Sequence, residues 1–173
     1  MTSLLKQTVV DAINTQVVEE FTASLQYTAI SLYFDAETLP QLSHFFDLQA
    51  AEEHMHAMKL LNYITEAGGQ PIVPATKPVK NHFESVEEAV ELALNQELKV
   101  TEQINNLVSV ADSEKDYLTH QFLQWFVVEQ LEEVSSMSDL LNIVRRAGND
   151  LFRVEDYLIR NPHESEAEGE GGE

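Results

Sequence analysis

No cysteine occurs among the 173 residues, which excludes a disulfide framework and any thiolate metal site and fits a reducing cytoplasm. Basic residues are scarce as well: 10 Lys and Arg stand against 30 Asp and Glu, a formal charge of −20. Nucleic acid and acidic membrane surfaces are bound through basic patches, so neither is an expected partner. The same charge suits the attraction of cations. Part of it is a terminal effect, because Glu164 to Glu173 holds five Glu and no base. No apolar run approaches the length of a membrane span, and no signal peptide is evident at Met1–Lys6. Proline and glycine are few, 5 and 6, so each place where they fall is informative.

What is present is helical periodicity. Val10, Ile13, Val17, Glu20, Ser24, Tyr27 and Phe34 predict a first helix from Ser3 to about Leu39, ended by Pro40. A second runs from about Gln41 to Ala67 and stops at Gly68-Gly69. Gln70 to Glu84 carries Pro71, Pro74 and Pro78 and no periodicity. Extended, it reaches roughly 50 Å, against roughly 42 Å for a helix of about 28 residues. It can therefore run the length of a bundle and return the third helix parallel to the second. Ser85 and Glu88 form a capping box that opens this third helix, which carries Val86, Val90, Glu97, Ile104 and Val108. A polar turn is expected around Asp112-Ser113. The fourth stripe is Phe122, Phe126, Gln130, Glu133, Met137, Leu140 and Val144, ended at Gly148. Asp150 to Arg160 reads as a short fifth helix, stopped by Asn161-Pro162. The expected fold is all-α: an up-down four-helix bundle with one long crossover between the second and third helices, plus a short C-terminal helix. Residues 1–160 form its domain and 161–173 an acidic flexible tail.

Each long helix sets an acid into its apolar stripe: Glu20, Glu53, Glu97 and Glu133. Glu53-x-x-His56 adds an imidazole one turn away on the same face. Counted along antiparallel helices from the shared turns, these residues and Gln130 fall at one level, in the middle of the bundle. A carboxylate in an apolar stripe costs several kcal/mol unless something neutralises it, and four together repel one another. A divalent metal would neutralise them. Oxygen-rich donors with one imidazole suit iron or manganese better than copper or a structural zinc.

The segments Asn14-x-Gln16-x-x-x-Glu20, Glu52-Glu53-x-x-His56, Gln96-Glu97 and Gln124-Trp125-Phe126-x-x-Glu129-Gln130-x-Glu132-Glu133 resemble a bacterial-type non-haem ferritin. The resemblance extends to about Arg160. It implies a ferritin-like fold and a ferroxidase that oxidises Fe(II) to Fe(III) with O2 or peroxide and stores it as a mineral in a cytoplasmic homo-oligomeric shell, with twenty-four subunits expected. By the same resemblance Glu20, Glu53 and His56 hold one iron, and Glu53 bridges to a second held by Glu97 and Glu133. Gln130 is the central outer-sphere or water-holding residue, and Tyr27 the redox-active tyrosine. Glu52, Glu129 and Glu132 match a third, more exposed iron site. Two departures stand out. Gln130 and Glu133 replace the second Glu-x-x-His of bacterioferritins, and His54 follows Glu53 where those proteins have a haem-ligating Met, so no haem is expected. The competing expectations are a mineral-nucleating shell without catalysis and a peroxide-reducing protein related to rubrerythrin.

Overall fold

A computed structural model of the protein describes residues 3–163. Among them are five helices and no strand: α1 (Gln7–Ala36), α2 (Pro40–Glu66), α3 (Val86–Glu114), α4 (Tyr117–Ala147) and α5 (Phe152–Arg160). None is long and apolar enough to cross a membrane. The expected all-α bundle with a long crossover and a short fifth helix is what the chain forms.

Two apolar clusters give the directions of the helices. One holds Tyr27, Ile30 and Phe34 of α1, Leu42 and Phe46 of α2, Val86, Val90 and Ala93 of α3, and Met137, Leu140 and Val144 of α4. The other holds Val9, Ile13 and Val17, then Leu60 and Ile64, then Val100, Ile104 and Leu107, then Leu123 and Phe126. The C-terminal half of α1 thus meets the N-terminal halves of α2 and α3 and the C-terminal half of α4. So α2 and α3 run parallel to each other and antiparallel to α1 and α4. The residues between the clusters on all four helices are the polar ones singled out by the sequence.

The crossover, residues 67–85, is strapped along α1 by its own backbone. Asn14 Oδ1 accepts from Ile72 N at 2.9 Å, Thr22 Oγ1 from Lys77 N at 3.1 Å, and Gln26 exchanges two 2.8 Å bonds with the Lys80 peptide. These side chains satisfy groups that an extended strap would otherwise leave unpaired. At its start, a Cβ on Gly69 would lie 2.9 Å from Ile64 Cγ2, so only glycine lets the chain leave α2 this closely.

The helix ends depart from the sequence expectation in three places. α1 starts at Gln7, because Ser3 Oγ both accepts from Leu5 N and donates to Leu5 O and holds the first residues in a turn. Asp112 and Ser113 lie inside α3, and the chain reverses at Lys115 (φ 56°) and Asp116 instead. Ser113 Oγ bonds back to Val110 O and Asp112 pairs with His120, so both sit on the helix exterior. Asp116 caps α4 by accepting from Thr119 N at 3.0 Å. At the head of α3, Ser85 accepts from Glu88 N at 3.1 Å as expected, but Glu88 returns to Glu84 N rather than to Ser85. α5 is fixed by Glu155, whose carboxylate accepts from Gln41 N (2.8 Å) and Leu42 N (3.0 Å) at the positive end of α2. After α5, residues 161–163 return to α2, and the acidic segment 164–173 lies outside the described residues.

Candidate metal centre

The mid-bundle layer brings together the acids that the periodicity aligned. Glu20, Glu53, His56, Glu97, Gln130 and Glu133 are all at most 3% exposed. Donor atoms fall into three groups, each within 4.8 Å of one another: Glu20, Glu53 and His56; Glu53, Glu97 and Glu133; and His56, Glu129 and Glu133. Glu53, His56 and Glu133 each belong to two of these groups, so the three groups form one continuous layer of donors.

Few of these atoms have hydrogen-bond partners. Glu20 Oε2, both Glu53 oxygens, both His56 nitrogens and Glu133 Oε2 are buried without one among the described residues. His56 Nδ1 is 3.6 Å from Glu53 Oε2 and Nε2 is 3.7 Å from Glu129 Oε1, distances of attraction rather than of hydrogen bonding. Buried polar atoms are normally paired, so six orphans in one layer call for a ligand. The donor set, carboxylate oxygens with one imidazole, fits iron.

The rim of the layer is paired. Gln16 Nε2 donates to Glu20 Oε1 at 2.9 Å, one helical turn along α1. Tyr27, completely buried, donates its hydroxyl to Glu97 Oε1. Gln130 Nε2 points at Glu97 Oε2 (3.2 Å), Glu97 O (3.3 Å) and Thr101 Oγ1 (3.2 Å). The imidazole of His56 is held edge-on between Trp125 (5.4 Å) and Phe126 (5.9 Å), with Lys59 Nζ 3.8 Å above the Trp125 ring.

Burial and crowding decide the protonation of the layer without cations. Burial pushes the Glu53 and Glu133 carboxyls well above their ordinary range; the Glu97 charge adds to this, and His56 opposes it. Burial raises Glu97 to about 7, against the hydrogen bonds from Tyr27 and Gln130. Burial, then the Glu97 and Glu53 charges, hold the Tyr27 phenol well above its usual value. For His56 burial works downward, but the Glu53 charge and the Glu129 and Glu53 contacts outweigh it and raise the imidazole. Protons therefore stand in where cations are missing.

The three outer acids do not form one group. Glu129 turns inward to His56, Glu132 is exposed, and Glu52 is buried against Gln49 and His163. Sequence spacing marks no partner for His163; its contact with Glu52 spans 111 residues, which no local pattern reveals. Spacing also leaves out Thr101, whose hydroxyl receives Gln130 from one turn beyond Glu97. The inward turn of Glu129 had no sequence signal, because a single step on α4 separates it from Gln130.

Comparison with known proteins places these features. The profile of the ferritin-like domain family matches residues 10–147. A ferritin BfrB from Mycolicibacterium smegmatis is 48% identical over 148 residues, covering 86% of this chain and 82% of that protein. A bacterial non-heme ferritin from Staphylococcus aureus is 36% identical over 147 residues, covering 85% and 89%. Among solved structures, an open pore ferritin from the archaeon Archaeoglobus fulgidus superposes with a TM-score of 0.86 at 33% identity, over 90% of this chain and 96% of that one.

Proposed function

Because this chain belongs to the ferritin family, whose members store iron, we propose that its mid-bundle acid layer is a ferroxidase centre. Two Fe(II) ions are its substrates. One is received by Glu20, Glu53 and His56, the other by Glu53, Glu97 and Glu133, with Glu53 shared. Each Fe(II) gives up one electron; O2 takes the pair with two protons and leaves as H2O2, or H2O2 takes them and leaves as two waters. The observation that carries this reading is the set of six buried donor atoms without hydrogen-bond partners among the described residues.

The chain's own part is binding and charge balance. Glu53, Glu97 and Glu133 release protons when Fe(II) enters, so uptake weakens as pH falls through about 7, where Glu97 is protonated. The carboxylates then favour the harder ferric ion over the ferrous one. Gln130, anchored on Thr101, orients Glu97. Tyr27 can supply a single electron, its phenolic proton passing to Glu97 along their hydrogen bond. Glu52, Glu129 and Glu132 are assigned to the route by which Fe(III) leaves for a mineral store. His54, which follows Glu53, is exposed and packs on Phe21 at 5.5 Å; it offers no thioether to a haem. Leu25, Leu32, Val128 and Leu131 are large, apolar and exposed, which supports a homo-oligomeric shell that covers them; the count of twenty-four subunits and the cytoplasmic location are proposed on family membership alone.

The reading is tested by loading metal-free protein under argon with a series of Fe(II) amounts that runs from below to above two per chain, and mixing each with O2 in a stopped-flow instrument. A fast oxidation phase whose amplitude saturates at two Fe(II) per chain is expected. A rate no faster than Fe(II) in buffer would refute it.

A further inference from the structure

A row of aromatic rings leads out of the acid layer, toward the end of the bundle opposite to Tyr27. His56 stands edge-on to Trp125 (5.4 Å) and Phe126 (5.9 Å), which are themselves perpendicular at 4.8 Å. Phe126 meets Phe122 at 5.6 Å, and Phe122 lies flat on Tyr63, with ring centroids 3.9 Å apart. Tyr63 follows His56 by seven residues on α2, so the row covers about 10 Å along the helix.

The far end of the row can release a proton. The Tyr63 hydroxyl is 2.9 Å from Thr119 Oγ1, and Thr119 donates its one hydroxyl proton to Asp116 Oδ2 at 2.7 Å. Tyr63 must then be the donor to Thr119. The relay therefore runs from the Tyr63 phenol through the fully buried Thr119 hydroxyl to the half-buried Asp116 carboxylate. Burial raises the Tyr63 phenol above its usual value, against the Thr119 contact, so its proton is in place at neutral pH. Tyr63 also borders an open cleft of about 420 Å³, together with Met55, Met58 and Lys59.

We propose that Tyr63 is a remote electron donor to the acid layer when H2O2 meets a centre holding a single iron. This rests on the ferroxidase reading above. One Fe(II) supplies one of the two electrons that H2O2 takes up, and the half-reduced oxidant draws the other from Tyr63 along the rings. As that electron leaves, the Tyr63 O–H bond breaks; its proton passes to Thr119 and the Thr119 proton to Asp116. Fe(II), H2O2, the phenol and one further proton thus become Fe(III), a neutral tyrosyl radical and two waters. Trp125 is the first oxidisable ring of the row, but Lys59 Nζ, 3.8 Å above it, opposes a positive hole there and sends it on to Tyr63. A small soluble reductant entering the cleft returns the electron, and Asp116 returns the proton. O2 is a weaker one-electron oxidant than half-reduced H2O2, so it draws only on Tyr27, which is bonded to the layer through Glu97.

The test uses metal-free full-length Tyr27→Phe protein, loaded anaerobically with one Fe(II) per chain and mixed with H2O2. Freeze-quench electron paramagnetic resonance should show a tyrosyl signal, whereas the same protein mixed with O2 should show none. Adding Tyr63→Phe, which keeps the ring on Phe122, should abolish the signal. Adding Asp116→Asn, which keeps a capping side chain but removes the base, should weaken it. The same signal in the Tyr27→Phe/Tyr63→Phe protein would overturn the assignment, and an undiminished signal with Asp116→Asn would overturn the relay. Rapid Fe(II) oxidation by H2O2 with no tyrosyl signal in Tyr27→Phe would also overturn the assignment while leaving the ferroxidase centre standing. No rapid oxidation with either oxidant would refute the centre and this inference together.

Discussion

Glu19 and Glu20 are neighbours on α1, 7% and 1% exposed, and they sit in opposite electrostatic settings. Glu19 turns to the crossover side, where Lys77 and Lys99 close on its two oxygens. Burial would raise its carboxyl, yet the two ammoniums hold it below the ordinary value. Glu20 turns inward to Glu53 and His56, where no lysine or arginine reaches, and one of its oxygens stays unpaired. The chain thus spends two of its 10 basic residues on a single structural acid and none on the layer of four acids. Where a buried acid serves the fold, the protein supplies the counter-charge. Where it does not, the counter-charge must come from solution.

The largest consequence is kinetic. Glu53→Ala or His56→Ala should lower the fast oxidation rate by about two orders of magnitude or more, while Glu19→Gln should leave it at the wild-type value in the same stopped-flow assay. Equal losses from Glu19 and Glu53 would erase the distinction. Removing Glu53 also removes a carboxyl that burial forces to hold a proton in the metal-free state, so that variant should keep its thermal midpoint or gain slightly.

The second consequence has opposite signs for the two acids. Glu97, raised to about 7, favours the metal-free folded state below its ordinary value of 4.5, and this contribution is lost as pH rises through 7. A shift of that size corresponds to about 3 kcal/mol. Metal-free protein should therefore melt at lower temperature at pH 8 than at pH 5.5, and Glu97→Gln should flatten the slope. Glu19, depressed, contributes in the other direction: its stabilisation is present above the ordinary carboxylate value and fades as pH falls through its lower folded value. A metal-free melting profile that rises from pH 5.5 to 8 would contradict the raised values in the layer.

This division was half legible in the sequence. The acids Glu20, Glu53, Glu97 and Glu133 stood out because helical periodicity demands an apolar residue at their positions, and equal distances from the turns put them at one level. The crossover was legible from its prolines and its length. The pairing of Glu19 was not, because its lysines come from the crossover and from α3, 58 and 80 residues away. Glu155 at the head of α2 and His163 beside Glu52 were hidden for the same reason. Helix ends misled where Ser3, Asp112 and Ser113 made local hydrogen bonds that the pattern alone does not weigh.

Smaller effects sharpen the contrast. Glu19→Gln should cost about 0.5–1 kcal/mol at pH 7, discounted because Lys77 and Lys99 are 50% and 55% exposed; chemical denaturation would read it. Tyr27→Phe keeps the ring volume, so assembly and Fe(II) binding should not change. Freeze-quench electron paramagnetic resonance at one Fe(II) per chain should show a tyrosyl signal in wild type and none in that variant. The same radical in both would remove Tyr27 from the chemistry.

The central claim is that the acid layer awaits two cations, and anomalous diffraction at the iron edge reads it most directly. Crystals loaded anaerobically with Fe(II) should show two peaks per chain, one among Glu20, Glu53 and His56 and one among Glu53, Glu97 and Glu133, with neither in Glu53→Ala. Full loading with no anomalous density between these side chains would contradict the account.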